Sequence, residues 1–180
     1  MRRRLMALAS HGHAGAAEVA AASLTRELRV EIIGALGTIS TCGRCAAGKP
    51  WPHGRWAGGY CCGTPTKRLF TDDELASLRL GGTTPGRLRP PRGDLAGCAF
   101  RSPSGCSLEP GDRPTCCVRY LCRDLEHELH SRGDLPAITA LVDELNIAHE
   151  RFVRARAGRL DDEAVGLTGS PTRVNHSGCA

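Results

Sequence analysis

Apolar residues recur at helical spacing in several segments of the chain. Leu24, Leu28 and Ile32 follow one another at intervals of four in the first segment, residues 16–33. This spacing places the three side chains on one face of an α-helix. Gly34 and Gly37 follow them, and glycine commonly ends a helix. The pattern therefore predicts a first packing helix over residues 16–33.

Three more helices are predicted after residue 70. Thr71 occupies an N-cap position with Glu74 three residues later, a capping-box arrangement that introduces a short helix. The next helix is predicted over residues 118–130. Asp134 then caps a long helix that has Pro136 in its first turn, where proline is tolerated. The predicted inward positions of these helices are Leu75, Leu78, Leu121, Leu125, Leu129, Ile138, Leu141, Leu145, Ala148 and Phe152.

The long helix is predicted to end near Gly158, because the chain beyond it is small and polar. The arginines before that glycine would then suit the negative pole of the helix dipole. We expect a flexible leader at residues 1–15, a single domain at 16–157 with its core motif at 40–125, and a flexible tail at 158–180. The expected fold is mainly α, with three to four helices and long cysteine-bearing loops.

The composition limits the core that this domain can build. The 180 residues include only two Trp, two Tyr and three Phe, against 22 Gly and 11 Pro. Each large aromatic side chain buries about 150–250 Å², so a major source of core area is scarce. Structural zinc contributes about 10–16 kcal/mol in finger peptides. The composition therefore favours a small irregular domain that is stapled by metal.

Cysteine supplies the candidate ligands. The chain has ten cysteines, and eight of them form three close groups. Two residues separate the first pair, which is the spacing of a zinc or iron–sulfur knuckle. The second group is an adjacent pair, whose sulfurs point to opposite sides of an extended chain and could serve different ions. The predicted metal ligands are Cys42, Cys45, Cys61, Cys62, Cys98, Cys106, Cys117 and Cys122.

The last two of these cysteines constrain the local structure. Cys117 and Cys122 are five residues apart, which on a continuous helix is about 140° away from a shared face. Both can bind nearby only if a helix begins between them. We therefore expect Cys117 in a turn and Cys122 in the first helical turn, where the helix dipole favours a thiolate. Cys116 is expected to pack or to replace Cys117, and Cys179 to be a free thiol.

Charge and compartment narrow the function classes. The formal net charge is +5 with thiols counted as neutral. Eight thiolates with two divalent ions would carry about −4, so the apparent basicity is weak support for a nucleic-acid partner.

No run approaches the roughly 20 apolar residues of a membrane span. We expect a cytoplasmic protein, whose thiols stay reduced and favour metal over disulfides. A secreted disulfide protein is the alternative for this cysteine content.

The order of these residues resembles a known family. Matches occur over residues 40–125, at Cys42, Cys45, Cys61, Cys62, Thr71, Glu74, Cys98, Phe100, Cys106, Glu109, Arg113, Pro114, Cys117, Tyr120 and Cys122. The pattern is similar to that of the YkgJ-like cysteine-cluster family of zinc- or iron-chelating domains. The resemblance implies a thiolate site for zinc, or alternatively for an iron–sulfur cluster. The chain departs from the pattern by an insertion at residues 46–60 and by the additional Cys116.

Two other functions remain open at this level. A related cysteine pattern occurs in flagellin lysine methylases, which implies a metal-dependent protein-modifying enzyme as the alternative, with a protein as substrate. Trp51, His53 and Trp56 of the insertion would line its pocket. The chain has no glycine-rich nucleotide loop after a strand, so methyl transfer is not carried over. A zinc-ribbon-like nucleic-acid module is the other alternative, and the scarcity of aromatics weighs against it.

Overall fold

The computed structural model describes residues 2–7, 13–41, 65–90, 98–102 and 105–168. Within these ranges the protein is mainly helical, as predicted. None of the helices there combines the length and the apolarity that a membrane crossing demands. The helices are α1 (Arg2–Ala7), α2 (Ala16–Leu36), α3 (Thr66–Leu69), α4 (Asp72–Leu80), α5 (Thr115–Arg119), α6 (Arg123–Arg132) and α7 (Leu135–Thr168).

Two smaller elements lie between α4 and α5. Strand β1 (Arg101–Ser102) pairs antiparallel with β2 (Gly105–Cys106), so that Arg101 stands opposite Cys106. A single 3-10 turn follows at Pro110–Asp112. This part of the chain therefore consists of short elements whose positions depend on the helices around them.

The long helices α2 and α7 pack together and form the main core with α6. Their apolar positions meet in one cluster, the α2–α6–α7 core, whose buried members are Leu28, Ile32, Leu36, Val118, Leu125, Leu129, Ile138, Val142, Leu145 and Ala148. Most of the inward positions predicted for α6 and α7 belong to this cluster, and Leu121 and Leu141 pack against it partly buried. Phe152 is also buried, but in a separate small cluster with Ala22 and Ala76. Helical periodicity therefore identified the face that α6 and α7 bury.

The first packing helix differs from its prediction at both ends of its apolar stripe. Leu24 is 39% exposed, whereas the spacing predicts it to be buried. The stripe is instead extended by Leu36, because α2 continues through Gly34 and ends at Leu36. Gly37 is its C-cap with φ of 57°, a backbone conformation that favours glycine. The second glycine, and not the first, ends the helix.

The predicted helix over residues 118–130 is two helices. It is interrupted at residues 120–122, with Tyr120 as the C-cap of α5 and Cys122 as the N-cap of α6. No helix begins between Cys117 and Cys122, contrary to the expectation. Helix α5 begins at Thr115, before both cysteines, and α6 begins at Arg123, after both. Cys117 therefore lies inside α5 and not in a turn, and Cys122 precedes the first turn of α6 and is not part of it. The reason is Pro114, which pre-sets the backbone for an earlier helix start.

The last helix is longer than predicted. It continues past Gly158 to Thr168, into the segment predicted to be a flexible tail. Arg159 explains the continuation, since it bonds Glu163 one turn later at 2.7 Å and Glu18 of α2 at 2.6 Å. The neighbouring arginines therefore lie in the helix interior and do not face a helix end. The predicted leader also contains a helix, α1, in which Arg4 pairs with Asp72 at 2.6 Å.

Candidate metal centre

Five cysteines lie in the described ranges, and a hairpin and a short helix position four of them. Cys98 is buried and packs with the aromatic pair Phe70 and Phe100, whose ring centroids are 5.6 Å apart. Cys106 ends β2 and packs against the same apolar cluster, as do Cys116 and Cys117 of α5. Cys98, Cys106, Cys116 and Cys117 therefore share one apolar cluster. No disulfide joins the described cysteines to one another.

The thiols of α5 influence each other. Cys117 donates a hydrogen bond to the sulfur of Cys116, which lowers the pKa of the Cys116 thiol. The same bond, then burial, then the negative charges of Cys116, Cys106 and Cys98 raise the pKa of the Cys117 thiol. The charges of Cys106 and Cys98 act on Cys117 because they lie in its immediate surroundings. Cys116, Cys106 and Cys98 therefore lie close enough to Cys117 to make its deprotonation unfavourable once Cys116 is charged.

A cavity of about 360 Å³ adjoins these thiols. Its wall includes Cys106, Cys117 and Cys122, together with Arg113 and Tyr120. Residues 37–39, which follow α2, and the apolar residues Ile33, Leu36, Val118 and Leu125 complete it. The break between α5 and α6 is what lets Cys117 and Cys122 face the same space, since a continuous helix would turn them apart.

The described residues alone do not form a complete ion site. Within them, no three Cys, His, Asp or Glu side chains are placed so that they could hold one metal ion. Cys42, Cys45, Cys61 and Cys62 lie outside the described ranges, and the eight-cysteine ligand set stays a prediction. Trp51, His53 and Trp56, which would form the enzyme pocket, also lie outside those ranges. The protein-modifying alternative likewise stays a prediction.

The described residues at both ends of the segment that carries the other four cysteines are held by hydrogen bonds. Glu128 of α6 accepts hydrogen bonds from the amides of Ser40 at 2.9 Å and Thr41 at 2.8 Å. Cys42 is the next residue in the sequence. At the other end, Thr66 accepts a bond from the amide of Ala99 at 2.8 Å.

The hydrogen bond between Thr66 and Ala99 holds the second end of the segment close to a predicted ligand. Thr66 begins α3 and Ala99 is the neighbour of Cys98, so the chain re-enters the described structure next to a predicted ligand. Cys62 is three residues before Pro65 in the sequence. The described ends of this segment therefore lie next to Cys98 at Thr66 and next to the cavity at Thr38 and Ile39.

A buried polar network surrounds Thr115 at the start of α5, and the sequence did not predict it. Arg29 of α2 is fully buried and pairs with Glu74 of α4 at 2.5 Å. The same Glu74 oxygen accepts the amide of Thr115 at 3.0 Å, and Arg29 donates to the Thr115 hydroxyl at 2.7 Å. His149 Nδ1 lies 3.4 Å from that hydroxyl. Burial lowers the pKa of Arg29 and of His149, with the Glu74 carboxylate opposing the shift in both.

The sequence contained one misleading signal about Glu74. Thr71 caps α4 as predicted, because its hydroxyl accepts the Glu74 amide at 3.2 Å. In a capping box, the Glu side chain would return to the cap residue. Here it reaches across to Arg29 and Thr115 instead.

Arg113 also belongs to the pattern that the sequence resembles. Its Nε donates a hydrogen bond to the carbonyl of Leu108 at 3.1 Å within its own loop.

The comparisons with known proteins add no relative. The chain matches no protein-family model, no curated protein and no solved structure.

Proposed function

We propose that this chain is a cytoplasmic metal-binding protein whose ions are held by cysteine thiolates. The ligands are Cys42, Cys45, Cys61, Cys62, Cys98, Cys106, Cys117 and Cys122, as in the YkgJ-like pattern that the sequence resembles. Zinc is the first choice and an iron–sulfur cluster the alternative, since both accept four-cysteine coordination. The metal has a mainly structural role.

One observation carries the proposal. Cys106, Cys117 and Cys122 line a single cavity although they come from a strand, a helix and a helix cap. The loop that leads to Cys42 borders the same cavity through Thr38 and Ile39. Thiolates are soft ligands of the type that zinc and iron–sulfur clusters select, and here three different elements present them to one space.

The electrostatics of the thiols support the same conclusion. The bond from Cys117 to Cys116, burial and the charge of nearby sulfurs raise the pKa of the Cys117 thiol, so without a cation this group keeps its proton. A divalent cation removes that penalty, because it neutralises the sulfurs and displaces the protons. Metal uptake by this cluster should therefore release protons.

Metal analysis on protein purified without oxygen tests the proposal. We expect the full chain to contain zinc or iron in a fixed ratio, with visible absorption only if the metal is iron–sulfur. Cys106→Ser, Cys117→Ser and Cys122→Ser should each lower the metal content. Cys179→Ser is the matched control, because this cysteine is outside the predicted ligand set, and it should keep the wild-type content. Absence of metal from the wild type, or an equal loss in the Cys179 variant, would refute the proposal.

A further inference from the structure

The buried network of Arg29, Glu74 and Thr115 carries a desolvation cost, so a contribution to stability is not a sufficient reason for its presence. Arg29 Nε and Nη1 have no hydrogen-bond partner among the described residues, although the side chain is fully buried. Buried ion pairs can often be replaced by apolar residues without loss of stability. A network of this kind therefore requires a second explanation, and its position supplies one.

Three helices meet at Thr115, the residue before Cys116. Glu74 of α4 accepts the amide of Thr115, which is one of the donors left without an intrahelical partner at a helix start. Arg29 of α2 bonds its hydroxyl, and His149 of α7 stands beside the same oxygen. The first turn of α5 is thus held by side chains from every long element that surrounds it.

Helix α5 depends on this attachment. It has only five residues, and helices so short are not stable on their own. Its backbone start is fixed by Pro114, whose carbonyl accepts the Cys117 amide at 2.9 Å. Its rotation about the helix axis, which decides where the two sulfurs point, needs an additional contact. Thr115 supplies that contact through its bonds with Glu74 and Arg29.

We propose that Arg29, Glu74 and Thr115 are positioning residues that orient the thiols of Cys116 and Cys117 toward the cysteine cluster. The inference rests on the proposed function in so far as the oriented thiols are said to serve a metal. Groups that orient metal ligands from outside the coordination sphere typically change metal affinity about 10–100-fold when they are removed.

Threonine substitutions provide the sharpest test. Thr115→Val keeps the shape of the side chain and removes the hydroxyl, whereas Thr115→Ser keeps the hydroxyl. Thr25→Val is the matched control, because Thr25 is also fully buried and its hydroxyl bonds Ala21 within α2. Two quantities are measured on the full chain: the alkylation rate of each cysteine in metal-free protein, resolved by peptide mass, and the affinity for Co²⁺.

We expect Thr115→Val to raise the alkylation rates of Cys116 and Cys117 several-fold and to weaken Co²⁺ binding roughly 10- to 100-fold. Thr115→Ser and Thr25→Val should resemble the wild type in both measurements. If Thr115→Val and Thr25→Val change the thiols equally, or if Thr115→Ser fails to restore them, the orienting role is wrong. A wild type that binds no Co²⁺ would refute metal binding, while the alkylation rates would still decide the orienting role.

A second pair of variants covers the outcome in which Thr115→Val does not fold. Glu74→Gln removes the charge that pairs with Arg29 beside Thr115. Glu18→Gln is its control, because it removes the charge of a different ion pair, the one between Glu18 and Arg159. Only Glu74→Gln should weaken Co²⁺ binding. Equal losses in the two variants would mean that the ion pairs act through general stability, and the positioning role would be rejected.

Discussion

Glu128 ties the end of α2 to α6 through backbone amides. Its carboxylate accepts the amides of Ser40 and Thr41 and the hydroxyl of Ser40. The side-chain hydrogen bond from Thr41, followed by the bonds from the amides of Ser40 and Thr41, lowers the pKa of Glu128 to about 2. On the same helix, Arg132 donates to the carbonyls of Leu36 at 3.2 Å and Thr38 at 3.5 Å. Two side chains of opposite charge therefore fix the path of residues 36–41, which leads to Cys42.

This attachment should fail in acid. A carboxylate whose pKa is lowered in the folded state stabilises the fold above its ordinary pKa, and the stabilisation is lost as the pH falls through the folded value. For Glu128 the window runs from about 4.5 down to about 2. We expect Glu128→Gln to lower the urea midpoint at pH 6. The difference from the wild-type midpoint should become smaller as the pH falls from about 4.5 to about 2.

The measurement is the difference in urea midpoint between variant and wild type at several pH values. Glu126→Gln on the same helix serves as the control for the loss of one surface charge, since Glu126 is exposed. A Glu128 effect that stays constant from pH 6 to pH 2 would show that the carboxylate charge does not hold residues 40 and 41.

Among the elements, α7 shows most directly how tertiary contacts override a local signal. Gly158 is exposed within the helix, and a Cβ at that position would have no atom within 4 Å. Glycine inside a helix costs about 1 kcal/mol relative to alanine. The contacts of Arg156 with Asp73 at 3.2 Å and of Arg159 with Glu18 offset that cost. The helix therefore continues where the sequence alone predicts an end.

Gly158→Ala should accordingly stabilise the protein by about 0.5–1 kcal/mol, because it removes the conformational freedom of glycine without a clash. Gly133→Ala is the informative contrast. Gly133 follows α6 with φ of 78°, and alanine there costs roughly 1–2 kcal/mol. Urea denaturation of both variants measures the free energies of unfolding. A neutral or destabilising Gly158→Ala would instead indicate that the helix ends at this glycine.

At the scale of the whole molecule, the described residues form two large apolar clusters and a third, smaller one of Ala22, Ala76 and Phe152. The α2–α6–α7 core contains no cysteine among its buried members. The second, the cysteine-side cluster, comprises Leu69, Phe70, Leu75, Leu78, Leu88, Cys98, Phe100 and Leu108, with three further cysteines packed against it. The composition predicts that metal supplies most of the cohesion. The first cluster shows that the long helices have an apolar core of their own.

Metal removal should therefore act on one part of the protein. After treatment with a strong chelator, we expect most of the far-UV helical signal to remain, because α2 and α7 are the longest helices and pack on each other. Hydrogen exchange should rise in peptides that cover residues 98–119 and change little in α2 and α7. Parallel loss of protection in both regions would instead mean that metal holds the entire fold.

A core variant provides the reciprocal experiment. Leu145 is fully buried in the α2–α6–α7 core, and truncation of such a side chain to alanine costs about 2–5 kcal/mol. Leu145→Ala should lower the free energy of unfolding of the metal-loaded protein by that amount while leaving its metal content unchanged below the unfolding transition. Loss of metal from the folded variant would show that the two clusters are not independent.

Much of the helical framework follows from the sequence. The buried positions of α6 and α7 and the Thr71 cap were predictable because they depend on residues within one or two turns. Leu24 and Gly158 were misjudged for the converse reason. Periodicity assigns a face to a helix, but the partner that covers the face, or an ion pair that extends the helix, lies far away in the sequence.

The sequence by itself determined that one continuous helix cannot carry Cys117 and Cys122 on a shared face, since this follows from the geometry of one helix. Thiolate as the ligand type stays a prediction from the composition. Only the tertiary structure decided which thiols share a cavity. It also decided that Arg29 and Glu74 meet at Thr115, the residue before Cys116. Those contacts join residues about 40 to 90 positions apart. No local pattern encodes such a meeting, because it is fixed by how α2, α4 and α7 pack around α5.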